Sequence, residues 1–128
     1  SRQVFPTYKG QRVSMIIVVA KITFRTDLER DRAVNLSAPV QLATREQEPG
    51  CHAYCFSADP CDPIAIQVYE LWDCSDSLVA HFSHANYYAM VDLLSSTGFV
   101  ESVSRAYLSE RDEPVYGPDS TMKDSFFS

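Results

Sequence analysis

Met15–Phe24, MIIVVAKITF, is the stretch that most constrains what this chain can become. Isoleucine, valine and threonine dominate it, and both its even and its odd positions are largely apolar. A β-branched run without strict polar alternation reads as a strand covered on both faces. Whatever fold follows must lay helices on one side of this strand and something else on the other.

The rest of the chain supplies the partners. Thr26 or Asp27 caps a helix with acidic residues in its first turn, where the helix dipole favours them. Leu28, Val34, Leu36, Val40, Leu42 and Ala43 follow helical spacing loosely. Pro39 cannot donate an amide and is expected to kink or split the helix near Ser37, and Glu48-Pro49-Gly50 ends it. Cys51–Ser57 reads as a second strand, with His52, Tyr54 and Phe56 on one face. The turn ADPCDP leads to a third, Ile64–Asp73, whose even face is Ile64, Ile66, Val68, Glu70 and Trp72. Ser75 caps one helix from Asp76 to about Ser95, closed by Gly98, and Phe99–Leu108 is the last strand.

The expected order is thus βαββαβ, a ferredoxin-like α+β domain with an antiparallel sheet. Two helices cover one face of a four-stranded sheet, so the apolar opposite face predicts a second copy of the chain packed sheet to sheet. Residues 15–108 form this domain. Residues 1–14 carry no periodicity and read as an extension ahead of it. Residues 109–128 are polar and turn-rich, an arm over the same or a neighbouring subunit or a frayed tail.

At 128 residues the chain makes one domain, and 45% hydrophobic residues provide for a real core. A net charge of −6, with no cluster of Lys and Arg, argues against nucleic acid as a partner. No apolar run approaches the length that spans a membrane. Met15–Ala20 is interrupted at once by Lys21 and lacks a small-residue cleavage site, so a cytoplasmic protein is expected. Cys51 and Cys55 would stand about 13 Å apart along a strand, too far for a disulfide. With Cys61 and Cys74 they lack zinc-ligand spacing and read as free thiols. Gly10, Gly50, Gly98 and Gly117 are too dispersed for a phosphate-binding or dinucleotide loop, and no metal-binding pattern occurs.

The functional side chains gather between Ile64 and Tyr87. Glu48-Pro49-Gly50-Cys51-His52-Ala53-Tyr54, then Tyr69-Glu70-Leu71-Trp72, then His81 follow one another in an order that resembles the antibiotic biosynthesis monooxygenase (ABM) family. The resemblance covers about Met15 to Leu108. It implies a dimeric α/β-barrel with a pocket between sheet and helices in each subunit, and cofactor-independent oxidation of quinol-like or polyphenolic aromatics by O2. Other members of the wider superfamily isomerise small metabolites or degrade haem. Two positions depart from the pattern. Where members often carry a second histidine this chain has Asn86, with His84 nearby; and Met15–Phe24 lacks the asparagine used by haem-degrading relatives.

Cofactor-free oxygenation requires a base for an electron-rich aromatic, a dry pocket and donors for the developing oxyanion. His81 shares a helix face with Leu78 and Ala85 and is the candidate base or oxyanion donor; the alternative is a histidine satisfied within the core or dimer seam. Trp72 is either core or a pocket wall whose N–H meets a substrate oxygen. Glu70, among apolar neighbours, either pairs with Arg105 or carries a proton. Tyr54, Asn86 and Tyr87 are candidate substrate contacts, whereas His84 is expected to face elsewhere. The expected enzyme therefore uses His81 and Trp72 in catalysis and needs neither metal nor cofactor. An isomerase using His81 and Glu70, or a metabolite-binding protein without turnover, are the alternatives.

Overall fold

A computed structural model describes residues 14–128 and, before them, the backbone of two short paired strands, β1 (Thr7–Tyr8) and β2 (Gln11–Arg12). The expected N-terminal extension otherwise lies outside the described residues. The domain follows as β3 (Met15–Phe24), α1 (Asp27–Gln47), β4 (Cys51–Ala58), β5 (Ala65–Trp72), α2 (Ser75–His81), α3 (Ala85–Ser96) and β6 (Phe99–Ser109). The four long strands form one antiparallel sheet in the order β4-β5-β3-β6. This is the ferredoxin-like α+β plan, with the doubly apolar strand β3 in the interior of the sheet.

Register sorts the side chains. Ile22 and Phe24 of β3, Ile66, Val68 and Trp72 of β5, and Tyr54 and Phe56 of β4 form the core with Met90 of α3. On the opposite face Val19, Tyr69, Val103 and Tyr107 remain well exposed.

The helix α1 buries a face different from the one its leucines mark. Leu28, Leu36 and Leu42 point outward, while Arg30, Ala33, Ser37, Gln41 and Thr44 are buried. Those polar groups are all satisfied. Gln41 exchanges two hydrogen bonds with the backbone of Phe56, at 2.9 and 3.0 Å, and Arg45 Nε donates to Tyr54 O at 2.7 Å. Side chains of α1 thereby occupy the free edge of β4, which would otherwise expose unpaired backbone groups. Pro39 lies within α1, which runs unsplit from Asp27 to Gln47. Thr26 is its N-cap, accepting from Glu29 N at 3.1 Å.

Three further expectations are corrected. The helix expected from Asp76 to about Ser95 is two helices. Bonds from Phe82, Ser83 and His84 back to Val79, Ala80 and His81 tighten the end of α2, and His84 restarts the chain as α3 by capping it. Cys74, rather than Ser75, precedes the first turn of α2. In β4, a bulge between Cys51 and Ala53 makes His52 the extra residue, so it is exposed and does not share the buried face of Tyr54.

Beyond β6, Tyr116 and Met122 form a bridge around the turn at Pro118–Ser120, and Lys123 pairs with Glu113. The four cysteines are free.

Candidate functional site

Between the helices and the inner face of the sheet lies a cavity of about 440 Å³. Its walls are mostly apolar, and its polar groups come from several elements: Tyr54 of β4, Glu70 of β5, His81 of α2, Tyr87 and Ser95 of α3, and Ser102, Ser104 and Arg105 of β6.

His81 is the most heavily constrained. Its side chain is buried, and its Nδ1 lies 2.7 Å from Glu48 Oε1. Asn86 Nδ2 donates to the other oxygen, Glu48 Oε2, at 3.1 Å. A carboxylate only accepts, so Nδ1 carries a proton, and in the neutral tautomer that this contact selects Nε2 holds the lone pair. Nε2 makes no hydrogen bond among the described residues, and none of their polar side-chain atoms is both fully buried and unpartnered. The free nitrogen therefore opens onto the cavity that His81 lines. Rings fix the imidazole plane: Trp72 lies 4.8 Å away centroid to centroid, and Tyr54 and Tyr87 present edges at 5.4 Å.

The position of Glu48 follows from α1. It stands four residues beyond Thr44 and so continues the buried stripe of that helix past its last turn. Gly50 then turns the chain into β4 while packing against the start of α2. It adopts φ +87°, and a Cβ there would collide with Ser77 and Asp73. Reading the sequence for chemistry passes over Glu48, which looks like a helix terminator; the signal was its spacing from Thr44 and Gln41.

Glu70 faces the same cavity. Its Oε1 accepts from Trp72 Nε1 at 2.9 Å, and Oε2 makes no hydrogen bond among the described residues. Burial pushes its carboxyl up to about 7, against the opposing effect of the indole N–H and with help from Glu48. The expected pairing with Arg105 is not made, although Arg105 also lines the cavity. Glu70 and Ala106 flank Val18 on the inner face, whereas Arg105 stands opposite Val19 and starts from the outer one. Burial, reinforced by the charges of Glu70 and Glu48, likewise holds the Tyr54 hydroxyl far above the usual phenol range.

Four of the six residues expected at a site therefore line one cavity: His81, Tyr54, Glu70 and Tyr87. Trp72 lies behind the lining, fully buried, with its N–H engaged by Glu70 rather than free for a substrate. Asn86 also sits behind the wall, holding Glu48. His84 is half-buried, its Nδ1 accepting from Asn86 N at 3.0 Å and lying 3.8 Å from Glu48 Oε2. No trio of His, Cys, Asp or Glu among the described residues is disposed to hold a metal ion.

The comparisons agree with this architecture. The model of the family "Antibiotic biosynthesis monooxygenase" matches residues 15–93, more than half of the chain. No curated protein sequence matches. Among solved structures, proteins from Deinococcus radiodurans and Caulobacter crescentus, each named provisionally as an antibiotic biosynthesis monooxygenase, are similar. The first has a TM-score of 0.70 at 22% identity over 80% of this chain and 99% of its own. The second has 0.69 at 20% identity over 79% and 92%. A dimeric protein of unknown function and ferredoxin-like fold from Bacteroides fragilis matches at 0.63 with 15% identity, over 73% and 94%. At such identities the structures establish the fold, and the family model establishes the relationship: the chain belongs to the antibiotic biosynthesis monooxygenase family.

Proposed function

We propose that this protein is a cofactor-independent monooxygenase that oxidises a small quinol-like or polyphenolic aromatic with O2. The observation that carries the reading is His81 on the cavity wall, its Nδ1 held by the buried carboxylate of Glu48 at 2.7 Å. That arrangement leaves Nε2 to take a phenolic proton, while Glu48 stabilises the imidazolium that results. The apolar walls exclude water from the anionic aromatic, the species able to pass electrons to O2. The reaction balances without an external reductant: a phenol bearing an aromatic C–H, with O2, gives a quinone carbonyl and water. Four unpaired thiols accord with a reducing, cytoplasmic setting, and no described helix is long and apolar enough to cross a membrane.

The same reading includes a homodimer. Val19, Tyr69, Val103 and Tyr107 form an exposed apolar patch on the sheet face that the helices leave open, and the B. fragilis relative is dimeric. Sedimentation at low micromolar concentration is expected to return a dimer; a monomer would remove this element.

The activity is tested with chelator-treated protein in an oxygen electrode, against a panel of quinols and anthrones. We expect uptake above autoxidation that His81→Ala reduces by at least about a hundredfold. Uptake unchanged in His81→Ala would overturn the assignment of the base. Turnover of an aromatic substrate without oxygen consumption would favour the isomerase alternative, for which His81 and Glu70 supply two proton carriers.

A further inference from the structure

Resting on the homodimer in that reading, we propose that the second copy docks about a two-fold axis at Val103, with Glu101 of each subunit paired to the partner's Arg105. Both residues lie on the outer row of β6. Register sets Glu101 opposite Thr23, Val103 opposite Lys21, Arg105 opposite Val19 and Tyr107 opposite Ile17, all on the face away from the core.

Arg105 is a cation set into an apolar patch. Val103 and Tyr107, each more than half exposed, flank it along the strand; Val19 stands across from it, and Tyr69 pairs with Val19 on the next strand. Arg105 is itself exposed and makes no hydrogen bond or ion pair among the described residues. Water satisfies it in a single chain. Once a second copy covers the patch, that hydration is lost and an acid must replace it, because a buried unpaired charge is strongly destabilising. Lys21, on the same face, is already neutralised by Asp62 at 3.0 Å.

The acid in the right place is Glu101. It is exposed, shares the outer row with Arg105, and likewise makes no hydrogen bond or ion pair among the described residues. Four residues of strand separate the two by about 13 Å, too far to pair within one chain. A two-fold axis at their midpoint, Val103, removes that distance. With the two β6 strands antiparallel, Glu101 of each copy meets the partner's Arg105, and Val103 meets the partner's Val103. The row is thus self-complementary in both charge and apolar surface, as an isologous contact requires. The contact also bears on the site. Arg105 lines the cavity together with Ser102, Ser104 and Ala106 of the same strand, so the pairing holds the strand that forms the cavity's open wall.

The test is sedimentation over a dilution series of the full chain, with Glu101→Arg and Arg105→Glu made separately. Each reversal sets like charges against each other at both contacts and should weaken the dimer at least about tenfold. Mixed in equal amounts, the two variants should dimerise to within about threefold of the unaltered protein, because each reversed residue then meets its complement on the other chain. Recovery on mixing is the signature of a contact between copies, since no change within one chain produces it. Should either reversal fail to fold, Glu101→Gln and Arg105→Gln stand in, each weakening the dimer at least about threefold by leaving a charge covered and alone. A dimer indifferent to these changes, or a mixture no tighter than either variant by itself, overturns the proposal and leaves the homodimer standing. An unaltered chain that stays monomeric overturns both. Oxygen uptake is read separately and bears only on the activity.

Discussion

The two ends of the cavity are built on opposite terms. At the β5–α2 end, Glu48, Glu70, Trp72 and His81 are buried and tied to one another by hydrogen bonds and ring contacts. At the β6 end, Ser102 and Ser104 lie on a strand that is exposed almost throughout, and their hydroxyls have no protein partner among the described residues. The first end fixes tautomers and shifts ionisation; the second can accommodate a ligand at little cost. Chemistry and adaptability are thereby separated across a single sheet face, because burial is what perturbs a titratable group.

Thermal melting of variants from each end can break this contrast. The largest effect should be Trp72→Ala, which empties a fully buried site and leaves the Glu70 carboxyl without its donor; a loss of about 3–5 kcal/mol is expected. Next is Glu70→Gln compared across pH. Because the folded carboxyl titrates near 7 rather than at 4.5, its favourable contribution is fully present below about 4.5 and is lost as pH rises through about 7. At alkaline pH the unaltered protein should therefore be less stable than Glu70→Gln by up to roughly 3 kcal/mol, with the difference vanishing in acid. Ser104→Ala, at the open end, should change stability by less than about 0.5 kcal/mol. Equal losses at Trp72 and Ser104, or a Glu70→Gln advantage that grows toward acid, would mean the two ends do not differ as described.

Most of the fold was legible before any coordinates. The β-branched run Met15–Phe24, the alternation of Cys51–Ser57 and the apolar stretches Ile64–Asp73 and Phe99–Leu108 named all four long strands, and their order named the topology. What escaped was decided by tertiary partners or by single side chains. Nothing in Phe82-Ser83-His84 breaks a helix by composition; the break comes from the His84 ring, which accepts from Asn86 N. The bulge at His52 inverts one residue of an otherwise regular alternation. On α1, leucine spacing marked the wrong face, because Gln41, Arg30 and Thr44 are buried only where strand and helix carbonyls or amides meet them. At the site, His81, Glu70 and Tyr54 could be singled out by residue type and position. Glu48 entered only as a helix terminator and as part of the family motif, since its contact with His81 joins residues 33 apart in sequence.

The account rests on one nitrogen, and its tautomer can be read directly. Nitrogen-15 NMR of the histidine side chains near neutral pH, on the unaltered protein and on Glu48→Gln, would assign the protonation of the His81 ring. The predicted result is a proton on Nδ1 and an unprotonated Nε2 whose resonance moves when a phenol is added, with that preference weakened in Glu48→Gln. An Nε2-protonated ring that ignores added phenol would contradict the account, because no base would then face the cavity.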